Sequence, residues 1–151
     1  MYFFPGKCDV PLGLEDGRIP NPMFRASSSY NFYCAARNAR LHQRRAGRNG
    51  GAWCSRHRNN RQWLQVDFGT DAYVTRVSTQ GRHNSDQWVT GYYVSFSSRG
   101  QRFITYKEGR RTKVSTVLLI NFCISWSHDF LIHSRRRISL LTDHFFPSHM
   151  F

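Results

Sequence analysis

Acidic side chains are scarce in this chain: 9 Asp and Glu stand against 22 Lys and Arg over 151 residues, a formal net charge of +13. That shortage argues against a calcium site, which prefers several carboxylate oxygens. Paired carboxylates for acid–base catalysis are equally thin, because Glu15-Asp16 come early, Asp67 and Asp71 flank a strand end, and Asp86 sits in a loop. Lysine is nearly missing as well, with only Lys7, Lys107 and Lys113. The positive charge is therefore arginine, whose planar fork of donors matches phosphate, sulfate and carboxylate.

Other absences exclude whole classes. Cys8, Cys34, Cys54 and Cys123 form no Cys-x-x-Cys pair and have no histidines at zinc-finger spacing, so zinc and thioredoxin-like sites are not expected. Widely spaced cysteines suit disulfides in a secreted domain, with three pairings open. MYFFPGKCDV has no basic start and its apolar run stops at Pro5, so no signal peptide is visible. The most apolar window, Val117–Trp126, is ten residues long, where a membrane span needs roughly 20; a buried strand fits it better. Gly-x-Ser-x-Gly, Walker, Gly-x-Gly-x-x-Gly and His-Glu-x-x-His motifs are all missing. His128 and His133 are five apart, on different faces of a helix or a strand. Enzymatic activity is disfavoured, and no cofactor or metal is expected.

What is present has a clear pattern. Between Arg25 and Arg61 lie nine arginines, His42 and His57, and no acidic residue. Such a stretch cannot neutralise itself and either stays solvated or meets an anion. In QWLQVDFG, Leu64, Val66 and Phe68 share one face while Gln65 and Asp67 share the other, the period of a half-buried strand. Tyr92, Val94 and Phe96 repeat that pattern, and Ser98-Arg99-Gly100 offers a hairpin turn into QRFITYKE. One short strand fits Met23–Tyr33, YVTRVSTQG reads as β-rich, and Arg40–Gly51 reads as loop. No helical periodicity is sustained in this region, so the expectation is one all-β domain. Beyond Glu108 the composition changes: apolar residues come in clumps beside an Arg135-Arg136-Arg137 run.

CDVPLGLEDGRIP, ASSSYN, NARL, GAWCSRHRNNRQWLQVDFG, VTRVSTQGR, QWVTGYYVSFSSRGQRF and TYKE, in that order, resemble the coagulation factor 5/8 type C, or discoidin, domain. The resemblance runs from about residue 8 to 108, leaving 1–7 as an extension and 109–151 as a divergent tail. It implies a distorted jelly-roll β-sandwich or barrel. It also implies an extracellular or cell-surface, non-enzymatic module that binds anionic phospholipid, glycan or protein through loops at one end. Carried over by position, the first loop holds Tyr30, Asn31, Phe32, Tyr33 and Cys34; the second lies within His42 to Arg48, with Arg44 and Arg45; the third lies within Arg82 to Asp86, with His83 and Asn84. Trp53, Trp63 and Trp88 would belong to the barrel framework, and Asp67 would order the turn after its strand. The family's closing strands and terminal cysteine are not recognisable after Glu108, so the barrel is expected to be incomplete and Cys8 to lack its partner. The alternatives are a truncated fragment without function and, less favoured given the cysteines and the resemblance, a basic nucleic-acid-binding protein.

Overall fold

A computed structural model describes residues 11–74, 77–108, 111–112, 115–116 and 132–144. Cys8, Cys123, residues 1–7 and the Val117–Trp126 window lie outside the described residues. The opening segment is shaped by local polar bonds. The Asp16 carboxylate accepts the backbone N–H of Arg18 (3.1 Å) and its Nε–H (2.7 Å), which hold its pKa below the usual carboxylate value. Arg40 fastens this segment to the body: its guanidinium donates to the carbonyls of Leu14 (2.6 Å) and Ile19 (2.8 Å) and to Asn21 Oδ1 (2.8 Å). The same guanidinium lies 4.5 Å from the centre of the Phe24 ring, a favourable cation–π position.

The chain is all-β, and among the described residues it has no α-helix, only short 3₁₀ turns at Asn21–Met23, Phe32–Cys34 and Ala36–Asn38. The strands are β1 Phe24–Ala26, β2 Arg45–Ala46, β3 Asn49–Gly50, β4 Trp63–Val74, β5 Gly91–Ser97, β6 Ile104–Thr105, β7 Lys107–Glu108, β8 Arg111–Thr112, β9 Ser115–Thr116 and β10 Ile132–His144. The main sheet is antiparallel in the order β1-β4-β10-β5-β6, with β9 also on β5. β10 belongs to the stretch whose composition sets it apart, yet its backbone pairs with β4 from Val74 to Trp63 and with β5 from Ser97 to Gly91.

Alternation in sequence becomes a core face in β5: Tyr92 and Val94 are buried and cluster with Val74, while Phe96 and Phe68 pack against them. Burial is two-sided, however, because Gln65, Ser95 and Ser97 on the opposite faces are covered too. Their polar groups need partners there, and Ser95 Oγ meets Thr105 Oγ1 at 3.2 Å across the β5–β6 hairpin. β4 outruns the sequence expectation of a break at Gly69 and continues to Val74. A bulge takes up the difference: Arg137 faces Asp67 but Arg135 faces Asp71, so extra β4 residues are accommodated around Gly69. Gly69 has φ +71°, a conformation side chains disfavour, and its N–H donates to Asp67 Oδ1 (2.9 Å), so Asp67 orders a bulge within β4 rather than the turn expected after it. Arg40–Gly51 differs from the expected plain loop by the two-residue β2–β3 hairpin, too short to show periodicity.

A buried polar bracket joins β1 to β4. Gln62, 4% exposed, accepts from the hydroxyls of Ser27 (2.9 Å) and Ser28 (2.6 Å) and donates to Asn59 Oδ1 (2.7 Å).

Candidate functional site

The first loop is a 3₁₀ turn because Asn31 caps it, its Oδ1 accepting the Cys34 N–H at 3.1 Å. Asn38, buried, donates to the Tyr33 carbonyl (2.6 Å) and fixes the loop from beneath. Held this way, Tyr30, Phe32 and Tyr33 project outward, 60%, 58% and 50% exposed. Phe32 and Tyr33 meet edge to face, and the Arg37 guanidinium sits 4.4 Å from the Phe32 ring centre.

The second and third loops meet the first around Gly50. A Cβ placed on Gly50 would lie 2.5 Å from the Tyr33 carbonyl oxygen and 3.5 Å from Cys34 Sγ, so the first loop rests on bare backbone. The Gly50 carbonyl in turn accepts from Arg82 Nε (3.3 Å). The backbone N–H of His42 donates to Gln80 Oε1 (3.0 Å), its ring Nδ1 pairs with Glu15, and the Arg45 N–H reaches His83 Nδ1 at 3.4 Å. Arg44, Arg45 and Arg48 are exposed on this second loop. The third loop closes on itself: Arg82 donates through its backbone to the Gln87 carbonyl and through its guanidinium to Gln87 Oε1, both at 2.8 Å, around Asn84 at φ +57°.

Beside this junction opens a cleft of about 160 Å³. Its aromatic lining is Tyr30, Trp53 and Trp88, and its charged lining is Arg56, Arg58 and Arg82, with Gln80, Gln87, Ser55 and Cys54 between them. Among the described residues, no carboxylate lines it. The walls are fastened to the barrel through Ser28: the Trp53 indole N–H donates to the Ser28 carbonyl (2.9 Å), and the Arg56 N–H donates to Ser28 Oγ (3.0 Å). Burial above all, then the hydrogen-bonded Cys34 thiol, pushes the Cys54 pKa up to about 12 despite an opposing pull from Arg82. The arrangement offers ring faces for stacking and guanidinium forks for an anion, and no poised nucleophile.

Of the residues singled out by sequence, Tyr30 and Arg82 line the cleft; Asn31, Phe32, Tyr33, His42, Arg44, Arg45, Arg48, His83 and Asn84 stand in the three loops around it. Trp53 and Trp88 depart from the expected framework role: both line the cleft, and Trp88 is 38% exposed. Arg56 and Arg58, which also line the cleft, are not among the residues that the sequence singles out. The signal was present in GAWCSRHR, where arginines follow a tryptophan directly with no acid nearby. Among the described residues, no cluster of three or more His, Cys, Asp or Glu could hold a metal ion, and no helix is long and apolar enough to cross a membrane.

A family model for the F5/8 type C domain matches residues 24–124. Human neuropilin-1 is 35% identical over 109 residues, covering 70% of this chain and 11% of that protein. Mouse lactadherin is 36% identical over 116 residues, covering 71% of this chain and 24% of that protein. The chain thus spans about a tenth to a quarter of these curated relatives. Native recombinant discoidin II of Dictyostelium discoideum superposes with a TM-score of 0.64 at 20% identity, over 81% of this chain and 49% of that one.

Proposed function

We propose, from the premise that this chain belongs to the F5/8 type C domain family, that it is an extracellular recognition module whose cleft takes an anionic sugar residue. Domains of this family are ligand-binding modules and not enzymes. The observation behind the ligand class is the pairing of Tyr30, Trp53 and Trp88 with Arg56, Arg58 and Arg82 around one cleft that no carboxylate lines among the described residues. A volume of about 160 Å³ is close to that of an engineered cavity of ~150 Å³ that holds a single benzene ring. Stacking on an aromatic face orients a ring, and arginine forks select a sulfate or carboxylate on it. A second reading, anionic phospholipid, is supported by the exposed Phe32 and Tyr33 beside Arg37, Arg44 and Arg45, since apolar tips and a basic rim suit a headgroup boundary.

Titration against heparin fragments and against vesicles with and without phosphatidylserine separates the two. The glycan reading expects Arg82→Ala and Trp88→Ala each to weaken heparin-fragment binding roughly tenfold, as loss of one charged hydrogen bond or stacking contact implies. Phe32→Ala should then leave that binding unchanged. Vesicle binding that falls with Phe32→Ala, with no heparin affinity, would transfer the assignment to lipid.

A further inference from the structure

We infer that Cys34 and Cys54 form a disulfide that fastens the first loop to the wall of the cleft. Their Sγ atoms lie 2.8 Å apart, in a contact that only a covalent bond or a thiol hydrogen bond explains. Cys34 is 1% exposed and Cys54 half-buried. The backbones are already aligned: the Cys54 N–H donates to the Cys34 carbonyl (3.2 Å), and the Cys54 carbonyl accepts from Tyr30 (2.8 Å). That pairing suits the roughly 4.4–6.8 Å between Cα atoms that a disulfide spans. A metal reading fails, because among the described residues no third ligand of the His, Cys, Asp or Glu type joins the pair.

The reaction is thiol–disulfide exchange with a small-molecule or protein disulfide as oxidant. One cysteine thiolate attacks the oxidant's S–S bond and releases one thiol; the second cysteine then displaces the other half. Two protons and two electrons leave the Cys34–Cys54 pair and reappear as two thiols of the oxidant. Once the loops have closed, burial keeps a still-reduced Cys54 thiol protonated and slow to exchange. The bond therefore forms while the chain folds.

Tryptic mapping of the full chain, made in an oxidising compartment and alkylated during denaturation without reductant, tests this directly. Cleavage at arginine places Cys34 in ASSSYNFYCAAR (26–37) and Cys54 in NGGAWCSR (49–56). Expected is one linked species, lighter by two hydrogens than the two thiol peptides together, that vanishes on reduction. Recovery of both peptides alkylated, or of either linked to the peptide carrying Cys8 or Cys123, overturns the inference. A thermodynamic arm stands beside it. Cys34→Ser, Cys54→Ser and the double variant should lose similar stability, and reductant should lower only the wild type. Additive losses, or a wild type indifferent to reductant, contradict the bond.

Discussion

Replacing Arg40 by Ala removes three hydrogen bonds and one ring contact in a single step. The carbonyls of Leu14 and Ile19 are part-buried acceptors, whereas the Asn21 contact is exposed and water replaces it at little cost. Hydrogen bonds to a charged donor are each worth about 1.5–3 kcal/mol, and an exposed cation–π contact about 0.5–1 kcal/mol. Burial disfavours the charged guanidinium, the chief reason its pKa is lowered, so the low end of each range applies. The expected loss is about 3.5 kcal/mol, a large share of the roughly 5–15 kcal/mol that holds a domain together. For a chain of this length that is a drop of about 10 °C in Tm. Urea unfolding followed by tryptophan fluorescence reads it. Arg40→Lys should recover less than half, because one ammonium does not match a fork spanning two carbonyls. Arg44→Ala, on an exposed loop, should stay within about 0.5 kcal/mol of wild type. If Arg40→Ala were as mild as Arg44→Ala, or if lysine restored everything, the clamp would carry no weight in holding the opening segment.

Gly50→Ala should cost about 1–3 kcal/mol, the usual penalty of overpacking, because its Cβ meets backbone of the first loop rather than a yielding side chain; a neutral thermal melt would refute the close approach. In the reduced chain, the Cys54 pKa raised from 9.0 to about 12 favours the neutral thiol in the folded state. Its contribution is therefore fully present below the unfolded value, and is lost as pH climbs from about 9 towards 12. The urea midpoint of reduced wild type should fall relative to Cys54→Ser over that window, and parallel curves would show that the thiol is not held neutral.

Sheet strands were legible wherever one side packs against the cluster around Val74, as with Tyr92 and Val94, because burial of one face imposes a period of two. Gln65, Ser95 and Ser97 fall on the outer face by the same period, yet all three are buried. β2–β3 left no periodic trace at two residues per strand. The exposed tips Tyr30, Phe32 and Tyr33 followed from family position, whereas the cleft did not. Trp53 and Trp88 are 35 residues apart in sequence, and nothing local to either reveals that they line one hollow with Arg82 between their loops. A tryptophan beside a strand fills a core or faces a ligand with the same sequence signature; only the third dimension separates the cases.

Ser28 meets three neighbours at once, the Gln62 side chain, the Trp53 indole and the Arg56 backbone. These three bonds, which help to secure the cleft wall, sit at the base of its loops. The outer arginines, at 44, 45, 48 and 56, are exposed and contribute little to that anchoring. Mutation can therefore exchange those positions, and with them the charge and reach of the surface offered to a ligand, at small thermodynamic penalty. A fold arranged like this can change what it recognises faster than it changes shape.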